Sequence, residues 1–145
     1  MKFKEEKFND FIKEAIPLML ANNHEIDLFK EKLDLDFQAY YDLEKAGSTI
    51  AFTARTDEGK LIGYCIFLLY SHLHHRTKLV ASQDVIYVDP AYRTCGLKLL
   101  RYTETELKAL GVNYILQSAP KISRLGKVLE RLGYEELETL YIRRV

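Results

Sequence analysis

The residues best suited to chemistry lie in one stretch, DVIYVDPAYRTCGLK over 84–98. A strand-like apolar run ends at Asp89-Pro90, and a short loop holding Arg93 and Gly96 then opens an amphipathic pattern. The first backbone N–H groups of a helix have no partner within it, and the helix dipole adds to their positive character. Such a start is a seat for phosphate or pyrophosphate. Gly96 lets the backbone approach an anion closely, and Arg93 adds a charge that can hold two phosphate oxygens. An ordinary strand–loop–helix connection would use the same residue types.

Other reactive side chains are sparser. Cys95 falls at the helix start, where a thiolate would be stabilised. No Cys/His/Asn arrangement accompanies it, so Cys95 reads as a loop residue beside the anion seat and Cys65 as core. His72, His74 and His75 cluster in the polar segment 71–78. His72 and His74 share a face of an extended segment and could join a metal-assisted site. No Cys or carboxylate cluster completes one locally, so no metal is expected. Lys121, Arg124, Lys127 and Arg131 recur opposite an apolar face, the pattern of a solvated helix side.

The elements that must position these residues follow from periodicity. Phe8, Phe11, Ile12, Ala15 and Met19 recur at helical spacing, with Pro17 as an expected kink or break. Asp36 is placed to cap a second helix that Gly47 stops, and 22–35 is ambiguous. Segments 49–55 and 61–70 read as a hairpin around Asp57-Glu58-Gly59, the second strand apolar on both faces. A loop is expected over 71–78, then strands at 81–88 and 112–117, helices at 97–110 and 123–132, and a final strand at 136–143. The order α-α-β-β-β-α-β-α-β predicts an α/β fold: a mixed, mostly antiparallel twisted sheet with helices on both faces.

Composition sets the outer bounds. The chain has 145 residues, 48% of them hydrophobic and 29% charged. That length predicts a single domain over 1–145, able to bury roughly two-thirds of its unfolded surface without disulfides or metal. Lys+Arg and Asp+Glu both number 21, so the formal net charge is zero and there is no global footprint of a nucleic-acid binder. The N-terminal MKFKEEKFND lacks the apolar core of a signal peptide, and the run 61–70 is far short of the ~20 residues of a membrane span. A soluble, cytoplasmic protein is expected, with no nucleic-acid or membrane partner.

The motif Arg93-Thr-Cys-Gly96-Leu-Lys98 resembles the (Q/R)xxGx(G/A) acyl-CoA motif of the GNAT superfamily of N-acetyltransferases. VIYVDPAYR looks like that family's fourth strand and its exit, DEGKLIGYCIF like its second hairpin, and VLERLGYEE like its final helix, turn and strand. HLHH…ASQDVIYVDPAYR is similar in texture to small phage-encoded members. The resemblance implies acetyl-CoA as co-substrate, held between splayed strands. Ile86, Tyr87 and Val88 would pair with its pantetheine arm, and Arg93, Thr94, Cys95, Gly96, Leu97 and Lys98 would cradle its pyrophosphate. An N–H near Val88 would polarise the thioester carbonyl. The acceptor would be a primary amine on a small molecule, a protein N-terminus or a lysine.

Direct attack needs a neutral amine and hence a proton acceptor. Asp84 is the expected base, placed by period-two alternation with Ser82, Ile86 and Val88, if burial raises its pKa. His74 is the second candidate, and His72 and His74 are the expected acceptor contacts. Arg124 or Lys127 would reach the cofactor's 3′-phosphate. Two positions depart from the family pattern: Lys98 replaces a Gly or Ala, and Leu129 falls where many members carry a Tyr general acid. Tyr134, Tyr141 and Ser123 are the available substitutes. These departures favour an alternative, a GNAT-fold binding or structural protein without catalysis. An exposed last strand could pair across a homodimer.

Overall fold

The computed structural model describes all 145 residues. The β-branched and aromatic runs form one five-stranded sheet in sequence order. Its strands are β1 (Lys2–Glu5), β2 (Thr49–Arg55), β3 (Leu61–His72), β4 (His75–Val88) and β5 (Tyr114–Leu116). β1 to β4 pair antiparallel and β5 joins β4 in parallel. The helices are α1 (Phe8–Ile26), α2 (Phe37–Lys45), α3 (Gly96–Ala109) and α4 (Leu125–Arg131).

β3 explains why helices cover both faces. Its side chains alternate, and both sets are apolar. Tyr64 and Ile66 pack with Phe8, Phe11, Ile12, Ala15 and Met19 of α1. Cys65 and Phe67 pack on the other face with Phe52, Leu99 and Leu107. Pro17 lies inside α1 without ending it. Asp36 caps α2, accepting a hydrogen bond from the Ala39 N–H at 2.9 Å, and Gly47 leaves the helix at φ +71°.

Three segments differ from the sequence expectation. β1 is an additional strand: KFKE is mostly charged and exposed, and it is held by edge pairing to β2 and by Phe3 alone, which stacks on Tyr102 of α3. The expected loop 71–78 is the end of a long hairpin, with His72 opposite His75. There the strands run past both cores, so apolar patterning stops while backbone pairing continues. Segment 136–143 forms no strand, and Leu137, Leu140, Tyr141 and Ile142 are exposed. Its neighbour in the sheet would be β5, whose three residues offer few backbone partners. The strand invoked for dimer pairing is therefore absent.

Candidate active site

The site begins at an irregularity in β4. Val85 pairs with Ile66 and Gln83 with Phe67, which leaves Asp84 as the extra residue of a β-bulge. On the other side of β4, β5 pairs only with Val80, Ala81 and Ser82. From Gln83 to Val88 the strand therefore has β3 on one side and an open gap on the other. The Asp89 N–H donates to the Ile62 carbonyl at 2.8 Å. Backbone groups alternate along a strand, so Val88 and Ile86 direct their N–H and C=O into the gap. The gap opens into a cavity of 880 Å³ bounded by β4, the start of α3, the end of α1 and the segment leading into α4.

One end of the cavity suits an anion. A 3-10 turn over Pro90–Cys95 runs directly into α3 at Gly96. The Gly96 N–H donates to the Arg93 carbonyl of the preceding turn, and no side chain caps the N–H groups that follow at the start of α3. A Cβ on Gly96 would meet only Val88 Cγ2 at 3.8 Å, so this glycine leaves room above the helix start rather than relieving strain. Arg93, Thr94, Gly96 and Leu97 line the cavity, as does Arg124 from the opposite wall. Two residues assigned to the cradle do not. Lys98 is exposed outside the cavity wall, so its bulk does not close the site. Cys95 is buried among the core residues on the α3 side. Burial pushes its thiol above the ordinary range, against a smaller opposing effect of Lys98, so it is no exposed thiolate.

The other end carries Asp84. Asp84 Oδ2 accepts a hydrogen bond of 2.5 Å from the Tyr40 hydroxyl on α2. Tyr40 stacks on Phe8 at 4.6 Å between ring centroids. Burial, then the bond to Asp84, hold the Tyr40 phenol far above its ordinary range, so it remains the donor. The expected alternation fails here because of the bulge. Val85 and Tyr87 pack on the α1 side with Tyr40, whereas Ile86 and Val88 pack on the α3 side. Asp84, bonded to Tyr40, belongs with the first group. Glu25, in the last turn of α1, accepts from the Tyr87 hydroxyl at 2.8 Å and from Arg93 Nη2 at 2.7 and 2.9 Å. Burial, then the bond to Glu25, raise the Tyr87 phenol.

The histidines are elsewhere. His72 and His74 sit at the tip of the β3–β4 hairpin, where His72 Nδ1 accepts from the His74 backbone N–H at 3.1 Å. Neither lines the cavity. An extended strand advances ~3.3 Å per residue, which separates His74 from Asp84 by roughly 30 Å. No group of three or more His, Cys, Asp or Glu side chains is placed to hold a metal ion. Among the substitutes for a general acid, Ser123 lines the main cavity, Tyr134 borders a separate 470 Å³ cavity and Tyr141 is exposed. Leu129 is buried in α4. Glu25 and Tyr40 were missed by the sequence reasoning. Glu25 closes a helix whose end is not legible in the sequence, and no pattern in the sequence links Tyr40 to Asp84, 44 residues away.

The residues present fit a CoA thioester. Ile86 and Val88 offer unpaired strand groups to an amide-bearing arm, and Arg93, Arg124 and the open α3 start offer partners to phosphates. Ile86, Val88, Leu100 and Val128 supply apolar walls. A split sheet with an anion seat at the end of its fourth strand defines the class: an acyl-CoA-type α/β transferase fold. The sequence matches the model of the acetyltransferase (GNAT) family over residues 17–134, and the chain belongs to that family. Solved structures share the fold. The ribosomal-protein-alanine N-acetyltransferase of Brucella melitensis biovar Abortus 2308 has TM-score 0.72 and 20% identity, with 100% of both chains covered. An aminoglycoside acetyltransferase from an uncultured soil metagenomic sample has TM-score 0.77 and 20% identity, covering 99% of this chain and 95% of that one. The aminoglycoside 6′-N-acetyltransferase of Acinetobacter baumannii has TM-score 0.70 and 17% identity, covering 99% and 97%. No curated protein matches the sequence. No helix is long and apolar enough to cross a membrane.

Proposed function

We propose that the chain transfers an acetyl group from acetyl-CoA to a primary amine, by direct attack in a ternary complex in the cytoplasm. The observation that carries this reading is the β4–β5 gap, with the open α3 start at one end of its cavity and Asp84 at the other. Acetyl-CoA, when bound, supplies the thioester. Arg93, Thr94 and the first N–H groups of α3 hold phosphate, and Ile86 and Val88 bind the arm as an added strand would. The Val88 N–H donates to the carbonyl oxygen as negative charge builds there. The amine nitrogen forms a bond to the carbonyl carbon, the C–S bond breaks, and the thiolate leaves. Asp84, four residues before Val88 and roughly 13 Å back along the strand, takes through water the proton that the amine loses. Tyr40 keeps one Asp84 oxygen oriented. No acyl-enzyme is involved, and most of the acceleration comes from positioning and carbonyl polarisation.

Calorimetric titration of acetyl-CoA into the wild type and Gly96→Glu tests the seat. The helical φ and open space at Gly96 let the variant fold, which circular dichroism verifies. Micromolar binding that Gly96→Glu abolishes is expected. An amine screen follows, starting with an aminoglycoside and a peptide with N-terminal alanine, because fold relatives are named for such acceptors. Binding without acetylation of any amine would identify a GNAT-fold binding protein. Failure of the folded wild type to bind would overturn the reading.

A further inference from the structure

Arg93 stands between two sites. It lies in the turn before α3, among the proposed phosphate contacts, yet its Nη2 is committed to both oxygens of Glu25. Glu25 in turn has one oxygen fixed by the Tyr87 hydroxyl, whose ring anchors it to β4. The side chains of the ion pair are 56% and 40% exposed, so water and other ions reach both. Exposed pairs of this kind contribute little to stability and exchange readily. The charges on the cavity wall are also sorted. Glu25 and Asp84 are its carboxylates and Arg93 and Arg124 its cations, so the Glu25–Arg93 pair bridges the two groups.

We propose that this ion pair occupies both sites until the cofactor arrives: phosphate at the α3 start draws Arg93 away, and the freed Glu25 becomes the seat for an ammonium group of a cationic acceptor. The inference rests on the acetyl-CoA reading and deepens it. Asp84 is bonded to Tyr40, and Glu25 to Tyr87 and Arg93, so the two carboxylates share no partner. The ammonium on Glu25 is therefore a second one, distinct from the amine that loses its proton to Asp84. The acceptor class is a compound with at least two amines. Cofactor and acceptor bind with positive coupling, because Arg93 competes for Glu25 until phosphate draws it away. Linkage makes the effect reciprocal, so an ammonium on Glu25 must also tighten phosphate binding at Arg93.

The test is calorimetry with CoA, which cannot turn over, on the wild type, Glu25→Gln, Arg93→Gln and the double variant. Gln at position 25 keeps an acceptor for Tyr87 and removes the competing charge. Glu25→Gln is expected to tighten CoA binding about two- to fivefold, the size of an exposed ion pair. In the Arg93→Gln background it should change nothing. Unchanged or weaker binding in Glu25→Gln would overturn the competition. An equal gain in both backgrounds would also overturn it, by showing plain repulsion between Glu25 and the phosphates. At constant ionic strength, 1,4-diaminobutane is expected to tighten CoA binding to the wild type and not to Glu25→Gln. No tightening in the wild type would overturn the acceptor half of the proposal. Absence of CoA binding in every variant removes the cofactor reading itself, whereas binding that ignores Glu25 removes this inference alone.

Discussion

Asp84→Asn separates proton acceptance from every other role of the bulge. Asparagine has the same shape, and its carbonyl oxygen still accepts from the Tyr40 hydroxyl now held at 2.5 Å. The position is exposed, so stability should change by no more than about 0.5 kcal/mol. What disappears is the group that takes the amine proton. A positioned base contributes typically ~10²–10⁴-fold, or about 3–5 kcal/mol of barrier. Exposure of Asp84 to solvent lets water and buffer carry part of that load, which favours the lower end, about 10². The assay is thiol release at saturating acetyl-CoA with an amine from the screen, followed from pH 6 to pH 10. The wild-type to variant ratio should be largest where the amine is protonated and shrink above its pKa, where bulk hydroxide supplies the free base. Acetyl-CoA affinity should be unchanged, because the phosphate contacts lie at the far end of the cavity. His74→Ala, at the distant hairpin tip, should leave turnover at the wild-type value. Turnover of Asp84→Asn within about threefold of wild type across the pH range would refute the assignment.

Two further predictions concern the frame that holds the site. Arg55 bonds both oxygens of Glu6 and both of Glu14, tying β2 to α1. Arg55→Met leaves the buried Glu6 carboxylate with only the exposed Lys4 ammonium at 3.4 Å and should cost about 3 kcal/mol, read by urea unfolding. Burial alone would raise the Glu6 carboxyl, but bonds from Arg55 and Thr53 more than offset it and hold it below its ordinary range. A depressed folded-state pKa gives stability that is present above the unfolded value, about 4.3, and lost as pH falls through the folded one. Arg55→Met removes the bonds and charge that supply most of that lowering, so the two proteins should differ less at pH 3 than at pH 7. Gly63→Ala would place a Cβ 3.0 Å from Val88 Cγ2 and 3.1 Å from the Tyr87 carbonyl oxygen. It should destabilise by roughly 1–3 kcal/mol and weaken acetyl-CoA binding by displacing Val88, measured by unfolding and calorimetry.

How much of this was legible depended on whether a residue's role is local. The apolar run Leu61–Phe67, the Asp36 cap and the turn chemistry before Gly96 are local facts, and the sheet, α2 and the turn–helix junction at Gly96 followed from them. β1 had no apolar face to announce it, and the hairpin tip was polar because it projects beyond the cores. Leu137, Leu140 and Ile142 have the composition of a strand but no partner edge to pair with. Cys95 illustrates the same limit within the site: its place in the motif suggests a cofactor contact, and only packing shows that its side chain turns into the core. Glu25 lies 68 residues from Arg93, and no pattern in the sequence links them.

The bulge shows why alternation alone misplaces Asp84. Without an extra residue, Asp84 would share a face with Ile86 and Val88, whose side chains pack toward α3. One unpaired residue moves it to the side of Tyr40 and Tyr87 while leaving the Ile86 and Val88 backbone directed into the gap. A strand can then bind one substrate along its edge and present a carboxylate to the other from its face. Charge is divided the same way. A net charge of zero implied no electrostatic preference, yet the fold gathers Arg93, Arg124 and the α3 start at one end of the cavity and Asp84 at the other. Glu25 is the exception, a carboxylate drawn to the cationic end by Arg93. That misplaced charge makes the ion pair a point of coupling, because neither partner has its full function until the other is taken away.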